Sequence, residues 1–467
     1  MSDWGTVRVE EIAEVKSGKR LPKGHRLDAG VTPYPYIRLV DITDGRIQKD
    51  NLQYLSKETR ESIKRYIVNT NDVCLAIVGH SIGMIFYVED KWDNVNLTEN
   101  AARITNVDES FNPRFIYYYL TSLEGQNEIT SRKVGSAQGK LPLYNIRSLE
   151  LPKIPRDIQD SIVETLDSLS FKIELNQQTN QTLEQIAQAI FKSWFIDFEP
   201  VKAKIAAKQA SATPEQIERA AMCAVSGKSI EQLGQLSAKT LQQLKNTAAL
   251  FPETLVESEL GQIPKDWVIT NLGKIIAFNP KRVLKKGEIA PYLDMKNVPI
   301  VGHLVGDVIL KKMGSGTKFL NGDTLLARIT PCLQNGKTAY VDFLEGDQVG
   351  WGSTEYIVMR PLGERPTSLA YIIARQDSFR SQAMQTMTGT SGRQRANATA
   401  LSELQWVNYP MELLGAFDQI AGGYLKKAKN NGDQNKILAS VRDTLLPKLL
   451  SGELSVDTCQ TTLEVVI

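Results

Sequence analysis

Arginine, lysine and amide side chains cluster in loops of two distant stretches of this sequence, among Gly, Pro and Asn residues. Lysine and arginine neutralise phosphate oxygens, which gives affinity for nucleic acid without sequence information. The candidate phosphate contacts are Lys16, Lys19, Arg20 and Lys23 in the first stretch and Lys281 and Arg282 in the second. A solvated loop explains either cluster alone, whereas the occurrence of both favours nucleic-acid binding.

Other loop side chains have the geometry to read bases. Arginine pairs with guanine, and Asn or Gln pairs with adenine, through two hydrogen bonds in the major groove. Loop residues of these types, with one further lysine, are Arg38, Gln138, Lys140, Arg328, Gln334, Asn335, Gln394 and Arg395. The segment 389–397 has no apolar anchor, so a flexible loop without a binding role explains it equally well.

The motifs that would support catalysis or metal binding are missing from the sequence. Asn279-Pro280 is followed by two basic residues, where an adenine methyltransferase motif needs a second proline and an aromatic residue. Gly314-Ser-Gly316 lacks the remaining spacing of a nucleotide-binding loop. The histidines and cysteines are isolated and form no Cys-x-x-Cys pair: His25, His80, His303, Cys74, Cys223, Cys332 and Cys459. We predict neither a catalytic site nor a metal site, and no disulfide framework.

Composition sets wider limits on the class of protein. The 467 residues carry a net charge of +2, so only local basic patches could bind nucleic acid. At roughly 150 residues per domain this length predicts about three domain-sized units. No signal-peptide pattern opens the sequence, and no apolar run reaches the ~18 residues that span a bilayer. We therefore expect a cytoplasmic chain that does not bind membranes.

The sequence contains an internal repeat, with two copies offset by about 255 residues. Trp4–Ile12 recurs as Trp267–Ile275, and Asp72–Ala76 recurs as Asp323–Ala327. The dipeptides Pro35-Tyr36 and Thr98-Glu99, and Gly135, also recur in the same order. An ordered series of matches indicates duplication, and the period is too long for a solenoid repeat. Each copy begins with a β-rich, mixed α/β part and ends with a long helix.

Each long helix has apolar residues at alternating steps of four and three, which is the heptad pattern of a coiled coil. The first seam is Ile162, Leu166, Leu169, Ile173, Asn176, Asn180, Leu183, Ala187, Ile190 and Trp194. The second is Phe417, Ala421, Tyr424, Ala428, Asn431, Asn435, Leu438, Arg442, Leu445 and Leu449. Copies related by a pseudo-twofold axis would pair these helices antiparallel, and we predict the register that opposes Asn176 to Asn435 and Asn180 to Asn431. The alternative is that these asparagines lie on the solvated surface of each helix and do not pair across the seam.

The predicted fold is therefore α+β, with two pseudo-symmetric mixed α/β domains separated by a two-helix antiparallel coiled coil. The expected boundaries are a first domain 1–155, a central long helix 156–200, a helical connector 201–260, a second domain 261–409, a distal long helix 410–455 and a C-terminal tail 456–467.

This layout resembles the specificity subunits of type I restriction–modification enzymes. Stretches similar to family signatures are residues 189–204 (AIFKSWFIDFEPVKAK), 258–267 (SELGQIPKDW) and 446–454 (LPKLLSGEL). The resemblance implies two target-recognition domains that each read half of a split double-stranded DNA target, with the helices as spacer. It implies two modification subunits carrying S-adenosylmethionine, restriction subunits using ATP and Mg, and no cofactor in this chain.

Two other classes of protein remain as alternatives. A coiled-coil scaffold that only holds other proteins together explains the helices equally well, but it does not explain basic loops at matching positions. A stand-alone methyltransferase is disfavoured by the missing motifs.

Overall fold

The computed structural model describes residues 4–28, 30–49, 52–135, 139–390 and 392–454. The chain divides into two compact units, residues 1–174 with 435–467, and residues 175–434. The strands of the first unit are β1 (Thr6–Arg8), β2 (Glu14–Ser17), β3 (Pro35–Ile37), β4 (Ile42–Thr43), β5 (Arg46–Ile47), β6 (Gln53–Tyr54), β7 (Ile67–Val68), β8 (Val73–Ala76), β9 (Ile85–Tyr87), β10 (Val95–Leu97), β11 (Ala101–Thr105) and β12 (Glu150–Pro152). Its helices are α1 (Val9–Ile12), α2 (Lys57–Ser62), α3 (Pro113–Thr121), α4 (Leu123–Ser131), α5 (Leu143–Arg147) and the start of α6 (Arg156–Phe191).

Two four-stranded sheets form the body of the first unit, in the orders β6-β3-β10-β7 and β2-β11-β8-β9. Every residue of β8 and β11 is buried, which accounts for the apolar sequence of β8, Val-Cys-Leu-Ala, and the mostly apolar sequence of β11, Ala-Ala-Arg-Ile-Thr. The buried Arg103 of β11 is paired with Asp72. Asn112 caps α3 by accepting a hydrogen bond from the Arg114 backbone, and Pro113 follows at the first helical position, where its missing N–H costs nothing. This local sequence fixes the start of the helix that packs against the sheet.

The second unit holds the remaining elements. Its helices are α7 (Glu199–Gln209), α8 (Pro214–Ser226), α9 (Ile230–Leu233), α10 (Ala238–Ala249), α11 (Ser368–Arg375), α12 (Asp377–Gln385), α13 (Ala398–Glu403) and most of α14 (Met411–Leu450). Its strands are β13 (Leu255–Ser258), β14 (Gly261–Pro264), β15 (Val268–Asn271), β16 (Ile276–Phe278), β17 (Ile289–Leu293), β18 (Val308–Lys312), β19 (Thr317–Phe319), β20 (Thr324–Ala327), β21 (Thr338–Tyr340), β22 (Gly350–Gly352), β23 (Tyr356–Pro361) and β24 (Gln405–Asn408).

The two units share one topology. The sheets of the second unit run β18-β17-β22-β19 and β16-β23-β20-β21, which reproduces the strand orders of the first unit. Among the strands that the structure describes, each unit has one parallel pair, β3 with β10 and β17 with β22, where Tyr36 and Tyr292 hold equivalent places. The α+β prediction with two similar sheet-rich domains is therefore confirmed.

In the first unit the end of α14 packs antiparallel on the start of α6. Ile162 and Leu166 join a core cluster with Leu446 and Leu449, and further along Leu169 meets Leu438. Leu169 and Leu438 are fully buried, and the half-buried side chains packed against them are Ile173, Val441 and Leu445. Val441 therefore takes the place expected for Arg442, which bonds to the neighbouring Asp443. A helix with 3.6 residues per turn drifts from a strict heptad, which shifts the seam by one position here.

In the second unit the end of α6 pairs with the start of α14, again antiparallel. Asn431 donates a hydrogen bond to the side-chain oxygen of Asn180 at 2.9 Å, and Asn180 donates to the carbonyl of Ala428 at 3.0 Å. Leu183 is half-buried in this part of α6. Beyond it, a turn of π-helix at Lys192–Ile196 brings Trp194 against Phe417, with ring centroids 6.1 Å apart.

The helical connector packs into the core of the second unit. The indole N–H of Trp194 donates to the carbonyl of Val225, and the buried Lys204 donates to the carbonyl of Phe251 at 2.6 Å. These contacts tie α8 and the end of α10 to the aromatic cluster around Trp194. In the part of the chain that the structure describes, no helix is long and apolar enough to cross a membrane.

Candidate nucleic-acid interface

In the first unit a loop returns from α4 to the end of β8 and positions Lys140. The backbone N–H of Lys140 donates to the carbonyl of Val134 at 2.9 Å, and Lys140 also forms a β-bridge to Val78. The next residue, Leu141, donates to the carbonyl of Ile77 at 2.9 Å. The exposed Lys140 side chain thus stands on a backbone fixed from two directions. Gln138, in the same loop, lies outside the described residues.

The second unit builds the same junction from different side chains. Arg395 bridges Thr388 and Ile329, and Ala396 donates to the carbonyl of Arg328 at 2.8 Å. Matching these bonds one by one places Arg395 at the position of Lys140, and Arg328 at that of Ile77. Gln394, one residue before Arg395, accepts a backbone hydrogen bond from Thr330. The structure therefore brings together Arg328, Gln394 and Arg395, which the sequence had only suggested separately.

A glutamate holds one exposed arginine in each unit. Glu355 accepts three hydrogen bonds from the guanidinium of Arg395, at 2.7 to 3.0 Å. In the first unit the Arg20 Nε donates to Glu99 at 2.7 Å. The hydrogen bond from Arg395 holds the pKa of Glu355 below its usual value. Burial raises the pKa of Glu99, but its hydrogen bonds, that from Arg20 foremost, lower it more. Both contacts orient a guanidinium that would otherwise move freely.

A buried carboxylate organises the basic residues after β16. Asp323 is fully buried and accepts hydrogen bonds from Arg282 at 3.0 Å and from Arg360 at 2.8 Å. Arg282 therefore has a structural partner, whereas its neighbour Lys281 is exposed. Because one carboxylate is shared by two guanidinium groups, this corner of the second unit keeps a positive charge.

The other candidate residues are dispersed. Lys16 lies 2.5 Å from Glu14, Lys19 lies over the ring of Tyr66 with its Nζ 5.4 Å from the centroid, and Lys23 is exposed. Gln334 is exposed in the loop after β20. Arg38 is drawn inward: it donates to the buried Asp41 at 2.8 Å and to Gln53 at 2.6 Å. With its donors engaged in this way, Arg38 is poorly placed to read a base.

The seam asparagines form hydrogen bonds between the two long helices, α6 and α14. Asn176 is buried and donates to Gln434 at 2.8 Å, next to its expected partner Asn435. Asn435 in turn donates to the backbone carbonyl of Ile173 at 3.3 Å. Leu445 is half-buried against Leu169 and Leu438. These polar layers bond to side chains and to helix carbonyls of the facing helix.

Sequence reasoning missed Glu99, Glu355 and Lys318 as members of the interface. The recurring Thr-Glu dipeptides at 98–99 and 354–355 were a usable signal, because a carboxylate repeated in both copies calls for an explanation. Lys318 gave no signal, since only the fold brings β19 next to the loop that holds Arg282.

The geometry first defines a class: a duplicated α+β protein whose two units present equivalent loops at the end of a central strand, with long helices paired within each unit. Residues 1–185 match the family model described as type I restriction modification DNA specificity domain. Over nearly its whole length the chain is similar to type I restriction enzyme specificity subunits.

Two curated relatives span nearly the whole chain, and others match about a third of it. The HindI specificity subunit of Haemophilus influenzae is 26% identical over 97% of this chain and 100% of its own length. The MjaIX specificity subunit of Methanocaldococcus jannaschii is 22% identical, over 97% and 94%. The EcoEI subunit of Escherichia coli is 31% identical over 32% of this chain and 25% of its own. The solved S subunit from M. genitalium aligns with a TM-score of 0.48 at 15% identity, over 96% of each chain.

Proposed function

We propose that this chain reads a bipartite double-stranded DNA target, with residues 1–155 contacting one half-site and residues 261–409 the other. The observation that carries the proposal is the repeated junction at the end of β8 and β20, which sets Lys140 and Arg395 on equivalent, doubly held backbones. Lysine and arginine in the major groove favour guanine. A cationic reader at the equivalent place in each unit is what two domains that each contact one half-site require.

The surrounding basic residues supply affinity in this proposal. Lys16, Lys19, Arg20, Lys23 and Lys281 would contact phosphates, which position a protein on the duplex without reading it. Gln394 and Gln334 would add hydrogen bonds to base edges. Arg38 is the weakest candidate, since its contact with Asp41 would have to break first.

The helices 156–200 and 410–455 would act as the spacer that sets the gap between half-sites and would carry the docking surface for partners. In a type I restriction–modification complex the partners would be two modification subunits, which bring S-adenosylmethionine, and restriction subunits, which use ATP and Mg. The support for these partners is the similarity of the chain to type I restriction enzyme specificity subunits.

The test is long-read sequencing of methylated bases in host DNA, with and without this gene and with the partner genes intact. We expect methyladenine to disappear at one split motif made of two short half-sites around a fixed gap. An unchanged methylation pattern, together with no salt-dependent binding of duplex DNA by the purified complex, would instead favour the scaffold alternative.

A further inference from the structure

A cavity of about 270 Å³ lies in the second unit, beside the basic loop after β16. It is smaller than the ~300–1,000 Å³ clefts that enclose drug-sized ligands, which suits one group of a larger ligand. Its described lining residues are Asn279, Pro280, Arg282, Gly316, Thr317, Lys318, Arg328, Thr354, Tyr356 and Val358. Three of these are cationic, and none of the described ones is acidic.

The charge around the cavity is not balanced by its neighbours. The nearby carboxylates are Asp323, which is shared by Arg282 and Arg360, and Glu355, whose oxygens are taken up by Arg395. Arg360 and Arg395 lie outside the cavity lining, so these two carboxylates only partly neutralise the charge of the lining residues. The remaining positive charge, concentrated on Lys318 and Arg328, favours an anionic ligand.

Two guanidinium groups of the lining are incompletely bonded. Among the described residues, the Nε atoms of Arg282 and Arg328 are buried and have no hydrogen-bond partner. A buried donor without an acceptor destabilises the fold, because it has lost its hydrogen bond to water. An anion in the cavity would supply acceptors for these guanidinium groups, and the hydroxyls of Thr317 and Thr354 could donate to it as well.

At one wall of the cavity the backbone at Gly316 packs directly against the backbone at Gly352. A Cβ placed on Gly316 would lie 2.0 Å from the carbonyl oxygen of Gly352. Only glycine can therefore occupy this position, and the loop before β19 runs tight against β22. This close backbone packing positions the nearby Lys318 beside Arg282 and Arg328 in the cavity lining.

Among the residues that the structure describes, the first unit lacks two of the three cations that line this cavity, although its strand orders are the same. Arg328 and Ile77 occupy equivalent positions, because each donates its backbone N–H to the residue before β23 or β11 at 2.9 Å and accepts from the returning loop. Lys318 pairs with Trp351 on β22 as Ile67 pairs with Asn96 on β10. The positions of Lys318 and Arg328 are thus occupied by isoleucines in the first unit, so these two of the three lining cations have no counterpart there.

We propose that this cavity binds one phosphate group of the DNA backbone, within the half-site contacted by the second unit. The inference rests on the proposed function and goes beyond it, because it gives the two half-sites different backbone contacts. The shared chemistry is a phosphate-type anion, and the alternative source is a free phosphate.

The test uses the full chain in complex with its modification subunits, and target duplexes that carry a single neutral methylphosphonate linkage at successive positions. Wild-type complex should lose affinity at one linkage of one half-site. Arg328→Gln and Lys318→Gln should remove the sensitivity at that linkage and lower the slope of log affinity against log salt by about 1 each. Lys286→Gln, which removes an exposed lysine outside the lining, is the matched control and should keep that sensitivity.

The outcomes separate this proposal from the proposed function. If wild type prefers its target but both variants keep the sensitive linkage and the salt slope, the pocket assignment is overturned while the reader function stands. If inorganic phosphate binds without DNA, is lost in Arg328→Gln, and no linkage is sensitive, the pocket takes a free anion instead. If wild type does not prefer the target over an unrelated duplex, the proposed function itself fails. Melting curves verify that each variant is folded.

Discussion

At the scale of single residues, carboxylates orient arginines of the candidate interface. Glu355 and Glu99 each hold an exposed guanidinium, and the two contacts arise from different loops in the two units. An arginine held by a carboxylate loses less side-chain entropy when it meets a base than one that is free. The glutamates would therefore contribute to recognition although they repel phosphates.

Replacing Glu355 by glutamine tests this role. Without the carboxylate, Arg395 loses its charged partner, so we expect faster amide exchange in residues 388–396 and weaker binding of the target duplex. Hydrogen–deuterium exchange by mass spectrometry measures the first effect. Glu99→Gln is the matched variant and should leave 388–396 unchanged. Exchange in that segment unaffected by Glu355→Gln would show that the contact does not order the loop.

The same contact has a defined pH dependence. Because the Glu355 pKa is lowered in the folded chain, the contribution of the contact is fully present above the usual glutamate value of 4.5. It is lost only as the pH falls through the lowered pKa. Protection of the loop should therefore be constant across the neutral range, and its loss near neutral pH would argue against this ion pair.

At the scale of elements, the asparagine layers set the register of the helix pair. Asn180 and Asn431 bond side chain to side chain at 2.9 Å, and a polar layer of this kind penalises any slip that would expose or bury it alone. The register in the second unit is thus specified by hydrogen bonding in addition to apolar packing.

Cysteines at positions 180 and 431 should report this register. In a background with the native cysteines replaced by serine, Asn180→Cys with Asn431→Cys should form a disulfide readily under mild oxidation, as seen by a gel-mobility shift. The pair Asn180→Cys with Gln434→Cys, about one turn away, is the control. Preferential crosslinking of the control pair would contradict the register.

Leu169 tests the apolar part of the helix pair. Its side chain is fully buried against Leu438, so Leu169→Ala should cost about 2–5 kcal/mol in the free energy of unfolding. Phe171, two residues on, is 65% exposed and its replacement by alanine should change stability by less than about 0.5 kcal/mol. Denaturant unfolding compares the two. Equal effects would mean that the seam does not stabilise the fold.

At the scale of the whole molecule, the proposed spacer predicts a length rule. One heptad inserted between Asn180 and Gln181, with a matching heptad between Asn430 and Asn431, adds about 10 Å of helix and keeps the seam in phase. At ~3.4 Å per base pair the methylated motif should gain about three base pairs of gap. The same seven residues inserted after Gly227, in a connector turn, should leave the gap unchanged. A constant gap in the first variant would exclude the helices as the ruler.

Much of this architecture could be predicted from the sequence because its signals are local or periodic. The heptads located both long helices, and the ordered repeats predicted two similar domains. The shift from Arg442 to Val441 could not be foreseen, because it depends on helix geometry accumulated over several turns. The inward turn of Arg38 and the gathering of Arg282, Lys318 and Arg328 could not be foreseen either, since both depend on contacts between residues far apart in sequence.

The returning loop that holds Lys140 and Arg395 has a consequence for how such chains change over generations. Its fixed geometry comes from backbone bonds to Val134 and Val78 in one unit and to Thr388 and Ile329 in the other, not from the exposed side chain. Lysine and arginine already occupy the site without altering the strands around it. Under the proposed function, a point substitution here would alter the preferred base at little cost to folding, so new preferences would arise by single mutations that leave the stability of the fold unchanged.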